Sequence, residues 1–243
     1  MASNTIRFVA GIVLMVLAQA AFALLPIQQW ETKRGARVYF VENRDLPMLD
    51  VSVDFPAGSG FDTRDKSGVA NMTNNMLRLG AGGMDEDEIA RRLADIGAQY
   101  AGRFDSDRAG VGMRMLSSAK ERAGSLEILE KMVTQPQFPG PVLEREKVRL
   151  IAALKESDTK PDSIAARTFS RMVYPDHPYG LRTAGEVDTI AKLTRDDLTA
   201  FHARFYTAEN AVVAIMGDVT RDEAAGIAES LTASLPSAAG ASA

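Results

Sequence analysis

The chain has 243 residues, 46% of them hydrophobic and 25% charged, which is typical of a globular protein with one sizeable core. Its formal net charge of -4 gives no basic surplus, so the composition argues against nucleic acid or an anionic membrane surface as a partner. Cysteine is absent, which excludes disulfides and thiolate metal sites.

The N-terminus has the pattern of an export signal. Arg7 precedes an apolar run that begins at Phe8, and Ala21-Phe22-Ala23 has the small-x-small form of a signal-peptidase site. We predict a Sec-type signal peptide over residues 1–23 and a mature protein in a bacterial periplasm or outside the cell, without stable membrane insertion. The apolar stretch of about 16 residues is short against the roughly 20 that a bilayer requires, and an uncleaved N-terminal membrane anchor is the alternative.

The mature chain opens with predicted strands. Residues 30–42 read as a hairpin of two short strands that turn at Arg34-Gly35. After it comes an alternation of apolar and polar residues, which indicates a strand buried on one face. Its apolar members are Leu49, Val51, Val53 and Phe55.

Helices and strands then follow one another without regular βαβ alternation. Helical spacing and end signals predict helices over residues 68–79, 85–96, 141–157 and 162–173. Capping-box patterns at Ser118, Thr194 and Thr220 predict three more, and strands are predicted over residues 111–115 and 210–217. The fold class expected is α+β, a mainly antiparallel sheet with helices packed on one side. The domain spans residues 24–235, and a small-residue linker or disordered tail takes residues 236–243.

The helix predicted over residues 68–79 carries a family resemblance. Its sequence GVANMTNNM resembles the Gly-x-Ala-His-x-x-Glu-His-Met segment of M16 (pitrilysin-type) peptidases, an inverted zinc motif. In that family the two histidines bind zinc and the glutamate is the general base. With the flanking glycine, alanine and methionine in register, Asn71 and Asn75 occupy the histidine positions and Asn74 the glutamate position.

The family's remaining zinc ligand is a glutamate in a later helix, and it is missing here as well. The matching segment runs from Arg145 to Leu154 and has alanine at both candidate positions, Ala152 and Ala153. A carboxamide replaces imidazole poorly at zinc, and Asn74 cannot accept a proton near neutral pH. Zinc is expected for the family, but we expect neither catalytic residues nor a metal or other cofactor in this chain.

The resemblance spans roughly residues 28–235 and extends to a substrate-binding strand. Active members usually carry an Asn-Ala-Ser/Thr edge strand that pairs with the peptide backbone. Here the segment reads Tyr100, Ala101, Gly102 and Arg103, a candidate substrate-edge strand that has lost the polar contact.

The histidines and methionines have simpler interpretations. His177 and His202 lack ligand spacing and are predicted to be structural. A set of methionines at core-facing positions is predicted to pack rather than bind. This set is Met72, Met76, Met113, Met115 and Met132.

For function, the resemblance implies a non-catalytic subunit of a two-chain periplasmic peptidase acting on peptides or proteins. Its expected partners are a catalytic M16 subunit with an intact zinc motif and a second M16 half-domain, because the family usually joins two homologous halves. One alternative is a scaffold or binding protein that uses the fold without a role in proteolysis. Residual zinc metalloendopeptidase activity is the less favoured alternative.

Overall fold

The computed structural model describes residues 26–237, so the predicted signal peptide over residues 1–23 lies outside the described part of the chain. The strands are β1 Gln28–Glu31, β2 Arg37–Glu42, β3 Met48–Phe55, β4 Gly80–Ala81, β5 Met84–Asp85, β6 Gln99–Phe104, β7 Ala109–Leu116 and β8 Val212–Gly217. The helices are α1 Val69–Met76, α2 Glu86–Asp95, α3 Ala119–Thr134, α4 Gly140–Ser157, α5 Pro161–Val173, α6 Val187–Lys192, α7 Arg195–Phe205 and α8 Arg221–Ala233. In residues 26–237 we find no helix with the length and apolar character that a bilayer crossing requires.

Six strands form one sheet in the order β1-β2-β8-β3-β7-β6. All neighbours are antiparallel except β2 and β8, which run parallel. The predicted α+β class with a mainly antiparallel sheet is therefore confirmed. β4 and β5 form a separate two-stranded hairpin in the glycine-rich segment, where the sequence predicted only the end of a helix.

The alternation in β3 gives the sheet its two faces. The four apolar residues of this strand are buried, while Asp50 lies on the other face and pairs with Arg114 of β7, with 2.8 Å between Oδ1 and Nε. All five methionines of the predicted packing set are buried. The Phe55 ring packs against Tyr206 with 4.7 Å between centroids. The core thus lies between the helices and one face of the sheet, as the sequence indicates.

Capping boxes were predicted at the N-termini of three helices, α3, α7 and α8. Reciprocal capping boxes form at Thr194 and Thr220 as predicted. The box predicted at Ser118 is wrong, although the helix itself is present. The Ser118 hydroxyl donates to the Glu121 carboxylate at 2.5 Å and accepts no backbone N–H, because the charged acceptor competes with the backbone for the hydroxyl.

Two residues of the predicted tail are attached to the domain. The Ala208 N–H donates to the Pro236 carbonyl at 2.9 Å, and the Arg34 guanidinium donates to the Ser237 hydroxyl at 2.7 Å. The other predicted tail residues, 238–243, lie outside the described range.

Candidate functional site

The candidate site is the polar face of α1, and the start of this helix is held by one carboxylate. Gly68 precedes the helix with a φ of 96°, and a Cβ at this position would lie 2.4 Å from Ile190 Cδ1. A residue with a side chain would therefore be strained there. Asp62 accepts the N–H groups of Gly68 at 2.6 Å and Ala70 at 3.0 Å, which fixes the helix relative to the loop before it.

Burial of Asp62, which is 5% exposed, raises the pKa of its carboxyl from 3.8 to about 6, against the opposing effect of the two backbone N–H groups. Since the folded-state pKa exceeds the unfolded value, the folded state holds this proton more tightly. The contribution of this group to stability is therefore lost as pH rises from about 4 to about 6. Two pKa units correspond to at most ~3 kcal/mol.

We expect Asp62→Asn to remove this part of the pH dependence, because a carboxamide does not ionise. Urea unfolding of both proteins at pH 4, 5, 6 and 7 measures the effect. The free energy of unfolding of the wild type should fall by ~2–3 kcal/mol relative to the variant across this range. Parallel pH profiles for the two proteins would show that Asp62 does not titrate in this window.

Asn74, which the sequence resemblance assigns to the family's general-base position, bridges two parts of the structure. Its side chain is 5% exposed, its Nδ2 donates to the Arg103 carbonyl of β6 at 3.0 Å, and its Oδ1 accepts from the Tyr206 hydroxyl at 3.3 Å. Tyr206 is fully buried, and burial raises the pKa of its phenol, which stays protonated and can donate. The amide therefore joins α1 to the sheet edge and to the core.

The other two asparagines face a cavity between α1 and β6. This asparagine cavity has a volume of about 270 Å³ and is lined by Asn71, Asn74, Asn75, Arg78, Tyr100, Gly102 and Phe104. Asn75 Nδ2 donates to Glu146 Oε2 over 3.5 Å. The Asn71 side chain forms no hydrogen bond with any residue of the range 26–237. The structure thus brings the three predicted positions of α1 together on one wall.

Glu146 is a residue of this site that the sequence analysis did not single out. It lies on α4, is 5% exposed, and accepts from Arg145 Nε and from an Arg149 guanidinium nitrogen, both at 3.1 Å. Ala152 and Ala153 are exposed and do not line the asparagine cavity. Glu146 precedes Ala153 by seven residues, which is about two helical turns. This spacing is the signal in the sequence that could have indicated that Glu146 and Ala153 lie on the same face of α4.

These residues do not fit a zinc site. The α1 positions supply neutral amides, and the carboxylate of Glu146 is already neutralised by two guanidinium groups. Across the described residues no group of three or more histidine, cysteine, aspartate or glutamate side chains is placed to hold a metal ion. Nitrogen, thiolate and carboxylate donors are what zinc requires.

The predicted substrate-edge residues lie on β6, which pairs only with β7 and forms one edge of the sheet. β6 runs beside α1, and Tyr100 and Gly102 form part of the wall of the asparagine cavity. Whether a peptide adds to this strand stays a prediction.

Neither histidine lines the asparagine cavity. His202 is buried, its Nε2 lies 2.8 Å from the Val133 carbonyl oxygen, and burial lowers its pKa to about 4, so it is neutral at pH 7. His177 is exposed, and its Nδ1 accepts the Tyr179 N–H at 3.2 Å. The His202 contact joins α7 to α3, and the His177 contact stabilises the turn that contains Tyr179.

Comparison with known proteins relates this arrangement to one family. Residues 37–187 match the family model "Insulinase (Peptidase family M16)", and residues 192–242 match "Peptidase M16 inactive domain". Among solved structures, a peptidase M16 inactive domain from Pseudomonas fluorescens is 36% identical with a TM-score of 0.85, over 87% of this chain and 51% of that one.

Curated relatives are more distant. An uncharacterized zinc protease from Rickettsia felis is 23% identical over 79% of this chain and 47% of its own length. A protein from Helicobacter pylori described as a non-peptidase homolog, YmxG, is 22% identical over 76% of this chain and 43% of its own length. The chain thus spans about half the length of the curated relatives that it matches.

Proposed function

The chain belongs to the insulinase (M16) family of peptidases, and we propose that it is a non-catalytic member that supports a zinc peptidase acting on peptides or proteins. In this proposal a catalytic M16 subunit with an intact His-x-x-Glu-His motif supplies the metal and the base. The relatives are about twice as long as this chain, and a second M16 half-domain would supply the part that this chain does not cover. The complex would act in the periplasm or outside the cell.

The observation that carries the proposal is the set of side chains at the asparagine cavity. By the family resemblance, three carboxamides stand at the positions of two zinc ligands and the general base, and the nearby Glu146 is held by Arg145 and Arg149. Carboxamides are poor zinc ligands and do not accept a proton near neutral pH, so these three side chains lack the means to activate a water molecule. The fold is retained around chemistry that has been replaced.

The surface of α5 supports the presence of a partner. None of its residues is buried. Four of its large apolar side chains are exposed by 47% to 77%, and they are Ile164, Phe169, Met172 and Val173. Exposed apolar side chains that cluster on one element are typical of surfaces that another chain covers.

The test is a mixing experiment with an M16 chain of the same organism that has an intact motif. We expect no peptide hydrolysis by this chain alone and a rise of about tenfold or more in the partner's kcat/KM on mixing, which corresponds to ~1.4 kcal/mol of transition-state stabilisation. Size-exclusion chromatography should show a complex.

Two variants locate the effect. Glutamine at the partner's general base should abolish hydrolysis by the mixture, since the partner holds the active site. Phe169→Asp should weaken the complex, whereas Leu46→Asp, at a residue 62% exposed outside α5, should not. A partner that is fully active alone and forms no complex with this chain would refute the proposal.

A further inference from the structure

Arg78 supplies a guanidinium group to the wall of the asparagine cavity. It follows the last residue of α1 by two positions, is exposed, and forms no hydrogen bond or ion pair with any of residues 26–237. Asn71, Asn75 and Arg78 are spaced by four and three residues, so they follow one line along the helix. The guanidinium and the Asn71 amide are therefore available as donors to one ligand.

The charges around the cavity favour an anion. Two carboxylates on neighbouring helices, Glu86 of α2 and Glu146 of α4, are occupied, since Arg145 donates to both oxygens of Glu86, at 2.5 and 2.6 Å, and also to Glu146. Arg149 is the second donor to Glu146. Among the residues that line the cavity, Arg78 is the one that carries a charge, so the lining has a charge of +1. A guanidinium binds a carboxylate through two parallel N–H bonds, so Arg78 can hold a carboxylate in a more defined geometry than a lysine could.

A phenol adds a further donor to the same wall. Burial raises the pKa of the Tyr100 phenol to about 12, and the positive charge of Arg78 opposes this rise. Tyr100 is therefore protonated at neutral pH and lies near enough to Arg78 to experience its field. The cavity thus presents N–H and O–H groups.

The β6 edge adds unpaired main-chain groups. The Asp105 N–H donates to the Arg108 carbonyl at 2.9 Å at the end of the β6–β7 hairpin. Bonded and non-bonded pairs alternate along an antiparallel ladder. The bonded pairs are therefore Arg103 with Gly110 and Ala101 with Gly112. The N–H and C=O groups of the alternate residues, Tyr100, Gly102 and Phe104, point away from β7.

We propose that the asparagine cavity binds the carboxylate of an extended peptide, with Arg78 as the anchoring cation and the Asn71 amide as a second donor. The outward-facing groups of Tyr100 and Gly102 are placed to pair with the peptide backbone, as the edge strand of active M16 members does, and the new element is the carboxylate anchored by Arg78. The positions that the family resemblance assigns to metal ligands thus line a site for an anion. The inference concerns the isolated chain and does not depend on the catalytic partner.

The test is fluorescence anisotropy with a fluorescein-labelled hexapeptide of alternating valine and threonine. We expect the peptide with a free C-terminal carboxylate to bind at least tenfold more tightly than the same peptide with a C-terminal amide. A third peptide, amidated and carrying one internal glutamate, distinguishes a side-chain carboxylate from a terminal one. Tight binding of either carboxylate source supports the proposal.

Variants identify the anchor. Arg78→Gln should weaken binding of the carboxylate peptide about tenfold or more and leave the amide peptide nearly unchanged, because only the charged group is lost. Arg91→Gln is the matched control, since its side chain is 65% exposed on α2 and does not line the cavity. Equal binding of carboxylate and amide peptides, absence of binding by all three, or equal effects of the two variants would overturn the proposal.

Discussion

Asn74→Ala is expected to lower the free energy of unfolding by ~2–4 kcal/mol, because it removes two hydrogen bonds and leaves the buried Tyr206 hydroxyl without its acceptor. The Tyr206 hydroxyl loses its acceptor in a fully buried position, and the Arg103 carbonyl loses a donor at the sheet edge. Urea unfolding followed by circular dichroism measures the change. The residue at the family's general-base position thus contributes to the stability of this chain.

The controls come from the same helix and the same bridge. Asn71→Ala changes the same residue type without removing a hydrogen bond, so its effect should stay within ~0.5 kcal/mol. Tyr206→Phe removes only the hydroxyl and should cost ~1–2 kcal/mol. In the double variant the two effects should not add, because both changes remove one shared bond. Equal losses from Asn71→Ala and Asn74→Ala would contradict the bridging role of Asn74.

The second large effect concerns metal binding. The double variant Asn71→His, Asn75→His places two imidazoles four residues apart on α1. Glu146 Oε2, now 3.5 Å from Asn75 Nδ2, provides a carboxylate beside them. Two histidines and one glutamate form a known zinc ligand set. We therefore expect this variant to bind about one zinc ion per chain, with no peptidase activity because Asn74 still cannot act as a base.

Two further changes test whether Glu146 is the third ligand. Adding Glu146→Gln to the double variant should weaken zinc binding at least ~10-fold, because a neutral amide replaces the anionic donor. Adding Arg149→Ala should strengthen binding, since a guanidinium that competes for the carboxylate is removed. Isothermal titration calorimetry measures both. Zinc affinity that is indifferent to Glu146→Gln would show that this carboxylate does not reach the site.

The sequence predicts the elements of this fold better than the contacts between them. The alternation in β3 and the end signals of α1, α4 and α7 are local patterns, so the strand faces and helix positions follow from them. The hairpin β4–β5 was missed because its strands have only two residues each, too short to show a period. The capping box predicted at Ser118 does not form. A short sequence motif does not determine whether the hydroxyl donates to the Glu121 carboxylate or accepts a backbone N–H.

The sequence predicted which residues of α1 form the site, but it did not predict their hydrogen-bond partners. The three asparagines of α1 were identified through the family motif, and the structure places them on one wall of a cavity. The partners of Asn74 lie 29 and 132 residues away along the chain, and no local pattern connects them. The motif pointed to Ala152 and Ala153, whereas the carboxylate that reaches Asn75 is Glu146, about two helical turns before Ala153.

The zinc content of the unmodified chain tests the central claim most directly. The protein should be purified without chelators, dialysed against metal-free buffer and analysed by inductively coupled plasma mass spectrometry, with the Asn71→His, Asn75→His variant as the positive control. The account predicts less than about 0.1 zinc per chain in the wild type, since its site lacks the donors that zinc requires. Close to one zinc retained per wild-type chain would contradict it.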